Sequence, residues 1–233
     1  MQLFTREWGE GDRVAVLIHG IFSSSGNWHR LGPVLADRGY RAIAVDLPGH
    51  GASPRAEQYS IDLLADSVLA SVPAHPELAI GHSLGGLTLS AAVDRLLPQR
   101  AVYVDPAFTP PAFPWWQKIF AGPFTRRLLS SDAAAIAKSN PRWDRADVEV
   151  EAEDFARFDR KALSFLDGTE MRPPNSMMVP SLLVLADGSR LVGTDLADRL
   201  RALGFEVRVV PGAGHTVNRD DFEGFLTALD GWV

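Results

Sequence analysis

The chain has 233 residues, of which 46% are hydrophobic and 22% are charged, and its formal net charge is −6 at pH 7. This length and composition fit one globular domain with a single large core. The acidic balance argues against nucleic acid as a partner, because phosphate binding needs a basic face. Zero cysteines exclude disulfides and thiolate metal sites. No stretch resembles a signal peptide or a membrane span, so we expect a cytoplasmic protein without membrane insertion.

Along the chain, apolar β-rich runs alternate with amphipathic stretches, which predicts an α/β fold with a doubly wound, mostly parallel sheet and helices on both faces. The runs are nearly continuous hydrophobics, as in strands buried on both sides. The predicted strands are an edge strand at 4–8, then 14–18, 41–45, 78–80, 101–104, 181–185 and 205–210. The predicted helices are 27–38, 61–71, 84–97, 194–203 and 220–229.

The alternation stops between Pro106 and Pro180, where no convincing buried strand is found. A connection of this length inside a compact domain is usually functional. We therefore predict a helical cap at 106–180, inserted into a core made of 1–105 and 181–233. The cap is rich in aromatic residues, and some of them should line an apolar substrate pocket. Trp115 and Trp116 of the cap, together with Phe22, are the predicted substrate-binding residues.

The strongest motif is Gly81-His82-Ser83-Leu84-Gly85, which follows an apolar run and precedes a helical pattern. Glycines on both sides of Ser83 allow a strand and a helix to approach closely while the serine occupies a strained turn. The amides at the start of the helix then face any negative charge that develops at the serine hydroxyl. Ser83 is the predicted nucleophile.

A serine nucleophile needs a base and donors for an oxyanion. His215 ends a glycine-rich loop directly after the last predicted strand, where ligands bind in open α/β sheets, and is the predicted base. His19, at the end of the second strand, is interpreted as a structural imidazole that fixes the neighbouring loop. The backbone N–H groups of Ile21 and Leu84 are the predicted oxyanion donors, with Phe22 as the fallback for Ile21.

Four motifs in this order resemble the α/β-hydrolase fold superfamily over essentially the whole chain. They are Leu17-Ile18-His19-Gly20, Asp46-Leu47-Pro48-Gly49-His50-Gly51, Gly81-His82-Ser83-Leu84-Gly85-Gly86 and Gly212-Ala213-Gly214-His215. The resemblance implies an eight-stranded sheet, a cap inserted after the sixth strand, and hydrolytic chemistry without a cofactor. It also implies that Asp46 and His50 belong to a structural turn and have no catalytic role.

The acid of the triad departs from the common pattern of this family. The resemblance implies an acid after the seventh strand, but counting from Pro180 or from Val192 reaches Ser189 there. Asp187 lies two residues earlier, and Asp105 follows the preceding strand. Either aspartate could accept a hydrogen bond from the histidine, because both follow strands that should neighbour its loop. Asp105 is favoured and Asp187 is the fallback.

These residues predict a serine hydrolase that cleaves a small or medium apolar carboxylic ester, a lactone or a thioester through an acyl-enzyme. The same triad also serves carbon–carbon bond hydrolysis, perhydrolysis and cyanohydrin cleavage, so these reactions remain alternatives. A ligand-binding protein with weak catalysis is an alternative from another class. No metal or nucleotide site is predicted, since the sequence has neither a His-x-x-x-His pair nor a phosphate-binding glycine loop.

Overall fold

A seven-stranded sheet forms the centre of the computed structural model, which describes residues 1–109, 128–166 and 171–233. The strands are β1 (Thr5–Trp8), β2 (Val14–Ile18), β3 (Arg41–Val45), β4 (Leu78–His82), β5 (Arg100–Val104), β6 (Ser181–Ala186) and β7 (Glu206–Val210). Their order is β1-β3-β2-β4-β5-β6-β7, and only the β1–β3 pair is antiparallel. The chain order reverses between β3 and β4, both of which flank β2, and such switch points bind ligands at the carboxyl ends of the strands.

The expectation of eight strands and of a cap after the sixth strand is wrong for the part of the chain that the structure describes. The apolar runs and the edge segment predict seven strands, and seven are found there. The eighth strand came only from the family resemblance. The residues before β2 form one short strand, β1, so the long insertion follows β5 rather than a sixth strand.

Helices cover both faces of the sheet. They are α1 (Leu31–Asp37), α2 (Ile61–Leu69), α3 (Leu84–Leu96), α4 (Ala133–Ser139), α5 (Arg145–Arg157), α6 (Thr194–Ala202), α7 (Val217–Asp220) and α8 (Phe222–Ala228), with 3₁₀ helices at Ser25–Trp28 and Arg160–Leu166. Alternate residues of β2 belong to two different cores: Val16 to the one that includes residues of α2, α3 and α6, and Leu17 to the one that includes residues of α1 and α8. Both faces of the central strands are therefore buried, which explains their continuous apolar sequence.

The insertion between β5 and β6 carries α4, α5 and the second 3₁₀ helix. It packs on the loops that follow β2 and β3. Phe22 contacts Phe158 edge-on, with ring centroids 4.8 Å apart, and the Tyr59 hydroxyl donates to Asp159 at 2.8 Å. These contacts hold α5 over the carboxyl ends of the strands. No helix within the described residues is long and apolar enough to cross a membrane.

Candidate active site

Ser83 stands on a sharp turn between β4 and α3. Its φ of 51° and ψ of −114° lie outside the conformations that side chains other than glycine usually adopt. Two glycines make the turn possible: a Cβ on Gly81 would lie 2.4 Å from the carbonyl oxygen of Gly85, and a Cβ on Gly85 would lie 2.2 Å from that of Ile18. The backbones touch there, so α3 begins immediately behind the serine hydroxyl. Backbone strain at a single buried position of this kind is typical of a functional site.

The structure brings Ser83, His215 and Asp105 into one hydrogen-bonded row. The Ser83 Oγ lies 2.9 Å from the Nε2 of His215, and the Nδ1 of His215 lies 2.6 Å from the Oδ2 of Asp105. Strand pairing places Ser83 and Asp105 at one level: the amide of Ser83 donates to the carbonyl of Val104, and that of Asp105 donates to the carbonyl of Val184. The geometry fits a histidine that donates from Nδ1 and accepts from the serine hydroxyl at Nε2.

Asp105 is positioned to stabilise the protonated, positively charged form of His215. Its side chain is almost fully buried, and its backbone φ of 37° turns it away from the strand. Burial by itself raises the pKa of Asp105. The hydrogen bond and the charge of His215, together with hydrogen bonds from Ser189 and the backbone of Ala186, outweigh it, so that the pKa lies below its usual value. The backbone N–H of Ala186 supports the other carboxylate oxygen at 3.3 Å. A buried, ionised carboxylate on Nδ1 is what an orienting acid requires.

Asp187, the fallback acid, directly follows β6 and makes its hydrogen bonds with the loop before His215. Its Oδ2 accepts from the backbone N–H of Gly212 at 2.9 Å, and its own N–H donates to the carbonyl of Ala213. It thus fixes the loop that leads to His215 without contacting the imidazole. Ser189, which occupies the usual position of the acid, accepts from the backbone N–H of Val192 at 3.0 Å.

Two other histidines support the site. His82 is buried, and its Nε2 lies 3.0 Å from the carbonyl oxygen of His215. His19 is fully buried, accepts from the backbone N–H of Leu47 at Nε2 and donates to the carbonyl of Gly20 at Nδ1. Burial lowers the pKa of His19 to about 4, so its ring is neutral. The contact of His82 with the His215 loop was not foreseen, because nothing local in the sequence links residues so far apart.

The residues that carry the predicted oxyanion donors, Ile21 and Leu84, both line the cavity that contains Ser83, as does Phe22, the fallback for Ile21. Leu84 is the first residue of α3, where backbone N–H groups lack helical partners. Trp115 and Trp116 lie outside the described residues, so their predicted part in substrate binding stays a prediction.

A cavity of about 740 Å³ opens beside Ser83. Part of its wall is apolar and comprises Phe22, Ala107, Met171 and Leu191. Another part contains Glu151 of α5 and Arg219 of α7, two charged residues that the sequence reasoning missed. Glu151 was missed because the many charged residues of α5 are typical of a helix face in contact with solvent. For Arg219, the sequence offers one signal, its position four residues after His215.

One group of the described side chains has the composition of a metal site. Ligand atoms of His29, Asp144 and Asp147 all lie within 4.8 Å of one another. Two arginines already compensate these carboxylates: Arg219 lies 3.3 Å from Asp147, and Arg30 lies 3.6 Å from Asp144. A cation there would be repelled by both guanidinium groups, so we assign no metal to this group.

Several known proteins are similar to this chain. It is 36% identical over 126 residues to the probable esterase PIR7A of Oryza sativa subsp. japonica, a match that covers 51% of the chain and about half, 48%, of that protein. It is 30% identical to the pimeloyl-(acyl-carrier protein) methyl ester esterase of Edwardsiella ictaluri, covering 97% of the chain and 95% of the relative. The crystal structure of E-2-(acetamidomethylene)succinate hydrolase superposes with a TM-score of 0.75 at 26% identity, over 97% and 93% of the two chains.

The family model described as the alpha/beta hydrolase family matches residues 15–228, which include most of β2, all of β3 to β7, the nucleophile turn and the loop of His215. These residues form most of the sheet and all of the hydrogen-bonded row described above. The chain therefore belongs to the alpha/beta hydrolase family.

Proposed function

We propose that the protein hydrolyses carboxylic esters through a covalent acyl-enzyme on Ser83. The row of hydrogen bonds from Ser83 to His215 and from His215 to Asp105 carries this proposal, because its distances of 2.9 and 2.6 Å already fit proton transfer. The esterase names of the relatives support the same reaction class.

In the first half-reaction, the Ser83 Oγ attacks the ester carbonyl and its proton passes to the Nε2 of His215. Asp105 stabilises the resulting imidazolium through Nδ1. The amides of Ile21 and Leu84 donate hydrogen bonds to the oxyanion. The tetrahedral intermediate then collapses, the C–O bond to the alcohol breaks, and His215 returns the proton to the leaving oxygen.

In the second half-reaction, water attacks the acyl-enzyme and gives its proton to the same histidine. The intermediate expels the Ser83 oxygen, which recovers a proton from His215, and the carboxylic acid is released. The apolar wall at Phe22, Ala107 and Met171 supports an apolar body for the substrate, of small to medium size for a cavity of about 740 Å³.

The test is hydrolysis of p-nitrophenyl esters of increasing acyl length by the wild-type protein, Ser83→Ala and Ser176→Ala. Ser176 is an exposed serine far along the insertion and serves as the matched control. We expect Ser83→Ala to lose roughly 10⁶-fold in kcat, as for other removed serine nucleophiles, and Ser176→Ala to keep wild-type turnover. A fluorophosphonate should add one mass label at Ser83. Absence of both turnover and labelling in the wild-type protein would refute the proposal.

A further inference from the structure

Part of the active-site cavity is lined by polar side chains, four of which we call the polar arm. It consists of Ser23 and Asn27 from the segment after β2, Glu151 from α5 and Arg219 from α7. The apolar wall at Met171 and Leu191 comes from other segments of the same cavity. The cavity therefore presents chemically different surfaces on which different parts of one substrate could bind.

Four polar atoms of the polar arm are buried and have no hydrogen-bond partner among the residues that the structure describes. They are the Oγ of Ser23, the Nδ2 of Asn27, and the Nε and Nη2 of Arg219. The exposed fractions of these residues are only 7%, 3% and 2%. Buried polar groups in native proteins are nearly always hydrogen-bonded. All three residues line the cavity, so an occupant that accepts hydrogen bonds and packs against them would satisfy these groups after a small adjustment of the wall.

The guanidinium group of Arg219 is fixed in place. Its Nε lies 3.3 Å from Asp147, its Nη1 donates to Glu151 at 2.6 Å, and its Cζ lies 4.7 Å from the ring centroid of Trp143. A side chain held from three sides presents its remaining N–H groups in one orientation, which favours a directional contact over a loose charge attraction.

The charge of Arg219 is already compensated by two carboxylates. Burial raises the pKa of both Asp147 and Glu151, although the positive charge of Arg219 acts in the opposite direction. A second anion in the arm would face these two acids and would add to the negative charge around one guanidinium. A neutral acceptor avoids this repulsion. Glu151 can in turn accept a hydrogen bond, because its carboxylate is only partly buried and lines the cavity.

We propose that the polar arm binds an uncharged polar group of the substrate, a carboxamide or a hydroxyl, that accepts from Arg219, Asn27 and Ser23 and donates to Glu151. The inference rests on the proposed ester hydrolysis and narrows its substrate class to esters that carry such a group. A plain alkyl ester would leave the buried donors of the arm unsatisfied, and enzymes built to bind a polar substituent reject analogues that lack it.

The test uses two matched series of esters, one varied at the end of the acyl chain and one varied at the end of the alcohol chain. Each series ends in a carboxamide, a hydroxyl, a methyl or a carboxylate group at equal chain length. kcat/KM is measured with the wild-type protein, Ser23→Ala and Ser25→Ala. Ser25 is the matched control, because its Oγ is likewise buried and without a partner in the described part of the chain, but it does not line the cavity.

In one of the two series, we expect kcat/KM for the carboxamide-ended or hydroxyl-ended ester to exceed kcat/KM for the methyl-ended ester by about tenfold or more, as one good hydrogen bond allows. This ratio should fall in Ser23→Ala and stay at its wild-type value in Ser25→Ala. Glu151→Gln should lower the ratio and improve the carboxylate-ended ester, whereas Glu153→Gln, at an exposed position of the same helix, should change neither.

Two results would overturn the inference. If the wild-type protein has its highest kcat/KM with the carboxylate-ended ester, the polar arm is an anion site. If kcat/KM for the methyl-ended ester equals that for the polar-ended esters in both series, the polar arm binds only water. Binding to Ser83→Ala, followed by calorimetry, separates this inference from the proposed reaction. Suppose that the wild-type protein hydrolyses no ester but Ser83→Ala still binds the carboxamide-ended ester more tightly than the methyl-ended ester. The proposed ester hydrolysis is then refuted, and the proposed binding of a polar group by the polar arm is supported.

Discussion

The side chain of His82 holds the backbone of His215: its Nε2 donates to the His215 carbonyl oxygen at 3.0 Å, and the two rings lie 4.9 Å apart. Burial, followed by the nearby charge of His215, lowers the pKa of His82 to about 3. The ring of His82 is therefore a neutral donor across the physiological pH range. Because His82 precedes Ser83 in the chain, one residue pair connects the nucleophile turn directly to the loop of the base.

Replacing His82 should impair turnover by loosening that loop. We expect His82→Leu, which removes the donor, to lower kcat about 10²-fold, the size of effect that a small misplacement of a catalytic group can cause. His82→Gln keeps a donor and should lose less. KM should change little in either variant, since His82 acts through His215. Equal kcat values for the two variants would show that the hydrogen bond to the His215 carbonyl is unimportant.

Asp105 and Asp187 should differ sharply in their effect on catalysis. Asp105→Asn disturbs the tautomer of His215 and is expected to reduce kcat by about 10⁴-fold. Asp187→Asn keeps a carbonyl oxygen for the N–H of Gly212, so its kcat should stay within a few-fold of wild type. The comparison is made on one p-nitrophenyl ester. A larger loss in Asp187→Asn than in Asp105→Asn would refute the assignment of the acid.

Asp154 of α5 should make stability depend on pH. Burial, reinforced by the charge of Glu151 and opposed by a hydrogen bond from Ser24, raises the pKa of Asp154 to about 7. From about pH 4 to about pH 7 the native state thus holds a proton that the unfolded chain has released, so this residue lowers the free energy of unfolding as pH rises. The stabilising contribution of protonated Asp154 is complete below about pH 4, declines as pH rises, and is lost above about pH 7.

Asp154→Asn should therefore flatten the decline in stability across that window. Urea unfolding at several pH values between about 4 and about 8 measures the slope. Asp198→Asn, at an exposed position of α6, is the control and should follow the wild-type profile. An Asp154→Asn profile that runs parallel to the wild-type one would contradict the raised pKa.

Gly85→Ala should destabilise the fold as well as the site. Its Cβ would lie 2.2 Å from the carbonyl oxygen of Ile18, so α3 and β2 would have to separate. We expect a loss of about 1–3 kcal/mol or more in the free energy of unfolding. Gly193→Ala is the matched control: it has no atom of a non-neighbouring residue within 4 Å and a φ of −67°, so the change should be about 0.5 kcal/mol or less. Urea unfolding of both variants checks this difference.

Much of the fold could be predicted from the sequence because its signals are local. The strand at 41–45 and the helices that begin at Ile61 and Thr194 were predicted with the starting residues that the structure has. A strand buried on both faces is apolar along its whole length, and a helix that covers it repeats its apolar residues every turn. The total of eight strands was wrong because it was taken from the resemblance and had no apolar run behind it.

The parts of the candidate site also differ in whether the local sequence determines them. The turn at Ser83 and the loop before His215 are set by glycines within a few residues of them, so the sequence by itself determined both positions. The acid was decided only by the tertiary structure, since Asp105 and Asp187 follow the neighbouring strands β5 and β6, and only their partners distinguish them. Asp105 contacts the ring of His215, whereas Asp187 accepts from the backbone of Gly212. The polar arm likewise exists only in the folded chain. Glu151 and Arg219 are 68 residues apart in sequence, and only the folded chain brings their side chains within 2.6 Å of each other.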